Sequence, residues 1–125
     1  MTDQLAKHGF ECIGVDTSAG NVWASVTHLP FRDGAFECVI LIEVVEHISP
    51  MAYGEILRTC KHKILLTTPH PWSEPLTNAL LAARLIEPRR TPHLNLVKVA
   101  ALPLGRLARK GSVLFLDQWA VFDVS

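Results

Sequence analysis

Two acids and an imidazole stand within five residues of one another, at Glu43, Glu46 and His47. They follow directly on residues 38–42, Cys-Val-Ile-Leu-Ile, a β-branched apolar run that reads as a strand buried on both faces. Open α/β sheets put their ligands at the carboxyl ends of such strands, so the three side chains sit on a strand tip equipped for proton transfer. Imidazole titrates near neutral pH, which suits His47 to orient a nucleophile or take its proton, and Glu46 suits the same tasks. The structural alternatives are that Glu46 complements a helix N-terminus and that His47 packs against a backbone partner. A second polar tip, Asp16-Thr17-Ser18-Ala19-Gly20-Asn21, follows a strand-like stretch at 10–15. A carboxylate at Asp16 accepts two hydroxyl protons at once, with stronger bonds than a neutral acceptor makes; it equally well starts a turn.

The elements that must position these groups are legible on either side. Residues 2–8 suit a helix with Thr2 or Asp3 as N-cap and Gly9 past its end. Residues 22–26 suit a strand, but too few residues separate it from 10–15 for the usual crossover helix, so a loop is expected there. Arg32-Asp33-Gly34-Ala35 is turn chemistry. Ser49-Pro50 signals a helix start, and Ala52, Ile56, Leu57 and Cys60 recur at helical spacing to cover a sheet. Lys61-His62-Lys63 would then favour the end of that helix's dipole.

A strand is expected at 64–68, then a rigid loop, Pro69-His70-Pro71-Trp72. Residues 76–86 suit a short helix, apolar on most sides, that needs cover. Residues 87–93 break it, and Arg89 and Arg90 there are either solvated or set to bind an anionic substrate group. Residues 94–110 are helix-prone but interrupted by Pro103 and Gly105. Strands at 113–116 and 119–124 flank Asp117-Gln118.

A chain of 125 residues fits one domain, 1–125, with a core that needs no disulfide. Twelve basic and twelve acidic side chains cancel, leaving no general signal for nucleic-acid binding. The three cysteines, Cys12, Cys38 and Cys60, have no ligand spacing and read as structural thiols. No apolar stretch reaches the roughly 20 residues of a membrane span, and no signal peptide is seen, which points to a reduced, cytoplasmic setting. The 49% hydrophobic content is high for so short a chain and hints at a hidden interface or at missing sequence.

Leu29-Pro30-Phe31, Asp33, Phe36-Glu37, the run at 38–42 and Val44-Val45-Glu46-His47 together resemble the class I S-adenosylmethionine-dependent methyltransferases whose pattern reads Leu-Pro-Phe, Asp, Phe-Asp, a strand, then Val-Leu-Glu-His. The likeness extends at lower fidelity over about residues 7–71, including Gly14-Val15-Asp16-Thr17-Ser18 and Leu65-Leu66-Thr67-Thr68-Pro69. It implies an α/β, truncated Rossmann-like methyltransferase fold: a mostly parallel sheet with helices on its faces and an antiparallel pair at the C-terminal end. It implies S-adenosylmethionine as cofactor. Asp16 then holds the ribose hydroxyls, with Ser18 in the same loop. Ser25 stands where the family commonly has an acid for the adenine amine, Val26 and Leu29 flank the ring, and Glu43 approaches the methionine part. Glu46 and His47 fall to the acceptor.

The family's opening strand and Gly-x-Gly-x-Gly turn have no counterpart. Three explanations follow: Met1 is an internal methionine of a longer protein, the loop at 16–21 serves as a degenerate cofactor loop, or the chain has lost cofactor binding. The function expected is methyl transfer to an unidentified acceptor. The alternative is a catalytically silent interaction or scaffold subunit that pairs with itself or with a partner chain over an exposed sheet. A metal enzyme built on His62, His70 and His93 is weak, since they lack ligand spacing.

Overall fold

The computed structural model describes residues 1–18, 20–71, 73–87, 97–114 and 116–125. It contains α1 (Thr2–Lys7), β1 (Val15–Asp16), β2 (Val22–Trp23), β3 (Phe36–Ile42), α2 (Ala52–Thr59), β4 (Cys60–Pro69) and α3 (Ser73–Ala82). A 3-10 turn (Val99–Ala101) follows, then β5 (Arg106–Val113) and β6 (Asp117–Asp123). Strands β1 and β2 form a small parallel pair, while the other four form one sheet in the order β3-β4-β6-β5. In that sheet β3 and β4 are parallel, and β6 runs antiparallel to both β4 and β5. The mixed α/β architecture and the antiparallel closing pair are those the sequence implied.

The core occupies one face of the larger sheet. Register aligns Val39 with Ile64, Leu41 with Leu66, and Ile64, Leu66 and Thr68 with Phe122, Ala120 and Gln118, so these side chains share a face. Helix α2 lays Tyr53, Ile56 and Ala52 against that face, and Val99, Leu102 and Leu104 cover its β6 side. The opposite face, with Ile40, Ile42, Leu65, Trp119 and Val121, is not covered in this way. Ile40 is 37% and Ile42 44% exposed there. The expectation that β3 is buried on both faces is therefore corrected: of its residues only Leu41 is buried. Its composition suits a central strand, but it stands at a sheet edge with one face open, and cover comes from neighbours rather than from composition.

Other boundaries move for the same reason. Of the stretch at 10–15 only Val15 pairs, with Asp16 just beyond it, and Phe10 and Ile13 stay exposed, because a strand exists only where another edge accepts its hydrogen bonds. Helix α1 is preceded by Met1, which has no side-chain cap bond, rather than capped by Thr2 or Asp3. Helix α2 begins after Met51; Ser49 and Pro50 form the preceding turn, whose carbonyls accept the Ala52 and Tyr53 N–H groups. Lys61, His62 and Lys63 belong to β4, not to a helix end. They pair instead across the sheet: Lys61 Nζ with Glu37 at 2.6 Å, His62 with Glu37 at 3.1 Å, and Lys63 with Asp123 at 2.7 Å. Residues 106–110, expected to be helix-prone, are the first half of β5, where pairing with β6 overrides local propensity. Strand β5 ends at Val113 and β6 begins at Asp117, so Asp117 and Gln118 open β6 rather than link two strands. Arg89, Arg90 and His93 lie outside the described residues.

The short β1–β2 link replaces a crossover helix, as expected. Its ends are tied by Gly14: Asn21 Oδ1 accepts the Gly14 N–H at 2.9 Å, and the Gly14 carbonyl accepts the Asn21 and Val22 N–H groups at 2.9 and 3.1 Å. Gly105, at φ +108, turns the chain into β5, and any Cβ there would overlap the Asp123 carbonyl oxygen. Gly105→Ala is expected to cost about 2–3 kcal/mol from left-handed strain and backbone displacement, read as a lower urea midpoint with an unchanged slope. An unaltered midpoint would show that the turn relaxes freely.

Candidate functional site

The site is built at the carboxyl ends of β1 and β3, which open on a common cleft of about 810 Å³. Asp16, Ser25, Val26, Leu29, Glu43 and His47 all line it. Ser18 does not; it stands behind Asp16, donating its N–H at 2.8 Å and its hydroxyl at 3.1 Å to Oδ1. Glu46 does not reach the cleft either. It is buried, 1% exposed, at the turn that leaves β3.

Local backbone explains this division. Glu43 takes the left-handed conformation at φ +53, an arrangement that costs a non-glycine residue about 1–2 kcal/mol. It breaks the strand's alternation, so Glu43 faces the cleft while Val45 and Glu46 turn inward. The Glu43 N–H is held by the Thr67 carbonyl at 3.1 Å, and the Thr67 hydroxyl donates to Glu43 Oε1 at 3.3 Å. The buried Thr68 hydroxyl donates to Glu46 Oε2 at 3.1 Å. Adjacent β4 threonines thus hold the two acids, one on each side of the sheet.

The carboxyl of Glu46 is near enough to that of Glu43 for the two charges to repel. Oε1 of Glu46 finds no hydrogen-bond donor among the described residues. Partial burial first, then the negative charge of the neighbouring Glu46, push Glu43 up to about 7, with Asp117 adding repulsion. Folded Glu43 therefore holds its proton more tightly than its ordinary value of 4.5 implies. Its stabilising contribution is complete below about pH 4.5 and is lost as pH rises through about 7. The melting temperature is expected to fall between pH 5 and pH 8, and Glu43→Gln to remove part of that fall. Parallel pH profiles of the two proteins would show that Glu43 titrates alike in the folded and unfolded chain.

Arg58 secures the cleft's third wall, at 29–33. Its guanidinium donates to the Phe31 carbonyl at 2.7 Å, the Leu29 carbonyl at 3.2 Å and Asp33 Oδ1 at 2.8 Å, and it forks onto Glu55 at 2.8 and 2.9 Å. Glu55 in turn accepts the Leu29 N–H at 2.9 Å. Arg58 and this N–H hold the Glu55 carboxyl down at about 2. Sequence reasoning missed Arg58, Glu55, Thr67, Thr68 and Asp117 as parts of the site. The Glu55–Arg58 spacing of one helical turn was the available signal; their partners 25 or more residues away had none.

The profile of the family described as "Methyltransferase domain" matches residues 1–65, just over half of the 125-residue chain. This chain belongs to that family, and its fold is the Rossmann-like fold of class I S-adenosylmethionine-dependent methyltransferases. Among solved structures it is similar to the PH0226 protein from Pyrococcus horikoshii OT3, at 18% identity and a TM-score of 0.70, covering 98% of this chain and 75% of that one. It is also similar to magnesium protoporphyrin IX methyltransferase (ChlM) from Synechocystis PCC 6803 with bound SAH, at 19% identity and a TM-score of 0.51, covering 83% of this chain but half of that one. No curated protein matches the chain. Among the described residues no helix is long and apolar enough to cross a membrane.

Proposed function

We propose that this chain binds S-adenosylmethionine in the cleft between β1 and β3 and supports methyl transfer to an acceptor nucleophile. The observation that carries this reading is the convergence of Asp16 and Glu43, from separate strand tips, on one cleft whose wall between them includes Val26 and Leu29. That donor set suits the cofactor: a carboxylate for a ribose diol, apolar contact for a purine with the Ser25 hydroxyl beside it, and an acid near an ammonium group. The cofactor supplies an already reactive methyl group on its sulfonium. The protein's task is to hold donor and acceptor in line and to accept a proton where the acceptor carries one.

His47, half-buried on the cleft wall, is the general base in this reading. Its N–H is tied to the Val44 carbonyl at 2.9 Å, which fixes the backbone that carries the ring. Glu46 acts as a positioning residue, since it meets the cleft only through Glu43. The likeness to ChlM supports the cofactor, because that relative carries SAH, the product left when the methyl group has gone.

A second reading has the chain act as an interaction subunit. The open sheet face favours it, since Ile40, Ile42 and Val113 leave apolar surface that a second copy or a partner chain would bury. Calorimetry with S-adenosylmethionine and S-adenosylhomocysteine tests the first reading: stoichiometric binding is expected, and a well-folded protein that binds neither would overturn it. Sedimentation of the same sample reports self-association directly.

A further inference from the structure

Beyond the cleft, the sheet carries a second concavity of about 410 Å³, lined by His70, Lys98, Lys110, Ser112 and Gln118 together with residues 99, 100 and 111. It interrupts the core face. The inward row of β5 begins with Leu107 opposite Phe122, then continues with Lys110 opposite Ala120 and Ser112 opposite Gln118. The partners Phe122, Ala120 and Gln118 are all buried, so an apolar row is replaced by an ammonium and a hydroxyl where the face would otherwise continue.

Gln118 braces the floor. Its Nε2 donates to the Val97 carbonyl at 2.6 Å and the Pro69 carbonyl at 3.3 Å, and its Oε1 accepts the Val99 N–H at 3.4 Å. One buried amide thereby joins the end of β4 to the segment that carries Lys98. Among the described residues neither Lys98 nor Lys110 has a carboxylate partner, whereas Arg58, Lys61, Lys63 and Arg106 all do. Among the described residues no acid lines this pocket. Two cations lining one concavity focus a positive potential there, and an oxyanion would gain charge-assisted bonds from both.

We propose that this pocket is an oxyanion subsite that holds a carboxylate or phosphate group of the methyl acceptor. Anion binding stands on the pocket alone; its assignment to the acceptor rests on the methyl-transfer reading. His70, two residues beyond the threonine that holds Glu46, joins the pocket to the site by way of β4.

The test is a titration of the full chain with inorganic phosphate, and separately with malonate, at constant ionic strength, followed by amide resonances. Saturable shifts confined to residues 98–100 and 110–112 are expected. The affinity should fall about tenfold or more in the Lys98→Met/Lys110→Met double variant, the loss of two charge-assisted bonds, and stay unchanged in Lys61→Met. The tighter of the two anions identifies the acceptor's group. Shifts spread over all exposed basic residues, or identical titrations in the double variant, would mean an adventitious ion only and overturn the subsite. S-adenosylhomocysteine binding measured on the same samples keeps the two readings apart: localised phosphate binding without it leaves the subsite standing and removes methyl transfer.

Discussion

Asp16→Ala is expected to weaken S-adenosylhomocysteine binding by about 10- to 100-fold, the cost of losing a charged acceptor shared by two hydroxyls. Asp16 lies exposed at the end of β1, and its Oδ1 already takes both Ser18 donors, at 2.8 and 3.1 Å. Those bonds shape the loop and aim the carboxylate, so the alanine variant loses both an acceptor and its local turn. Asp16→Asn separates the two. The amide oxygen still accepts from Ser18 and keeps the turn, but the charge is gone. If Asp16 holds ribose, the asparagine variant also binds weakly, about tenfold below the parent. Should it bind as tightly as the parent, Asp16 is a turn residue and the cleft's polarity lies elsewhere. The thermal midpoint should move little in either variant, since the side chain covers no core.

Phe122→Ala has the largest expected effect on stability, about 3–5 kcal/mol. The ring is 1% exposed and lies between Ile64 on β4 and Leu107 on β5, so it touches both sides of β6 and the covering residues Leu102 and Leu104 belong to the same cluster. Small domains are stable by about 5–15 kcal/mol in all, and a sheet with one face open sits at the lower part of that range. The alanine protein is expected to be largely unfolded near 37 °C, with circular dichroism and a urea titration as the measurements. A loss below about 1 kcal/mol would show that the sheet does not depend on this inner row.

The parts legible in the sequence were those encoded locally. The turn at 32–35 rests on Asp33 and Gly34, and Gly34 does take a positive φ of 58. The apolar run at 38–42 and the helical spacing from Ala52 to Leu57 identify a strand and its covering helix, because side-chain period maps directly onto the buried face. The absence of a crossover helix before β2 followed from chain length alone. Residues 106–110 favour helix locally but form a strand, because their pairing partner, β6, lies later in the chain.

By itself the sequence determined the family, the order of strands and helices, and which side chains stand at the tips of β1 and β3. Those are properties of neighbouring residues, written in spacing and residue type. Tertiary structure decided which tips meet. It placed Asp16 and Glu43 on one cleft, buried Glu46 against Thr68, and left one face of the sheet open. It also put Lys98 and Lys110 around one pocket, although they stand twelve positions apart in the chain. Burial, hydrogen bonding and the field around a charge depend on what the rest of the chain brings alongside. Glu43 shows the difference: its place follows from the strand before it, while its raised pKa comes from the fold that partly buries it and packs Glu46 and Asp117 beside it.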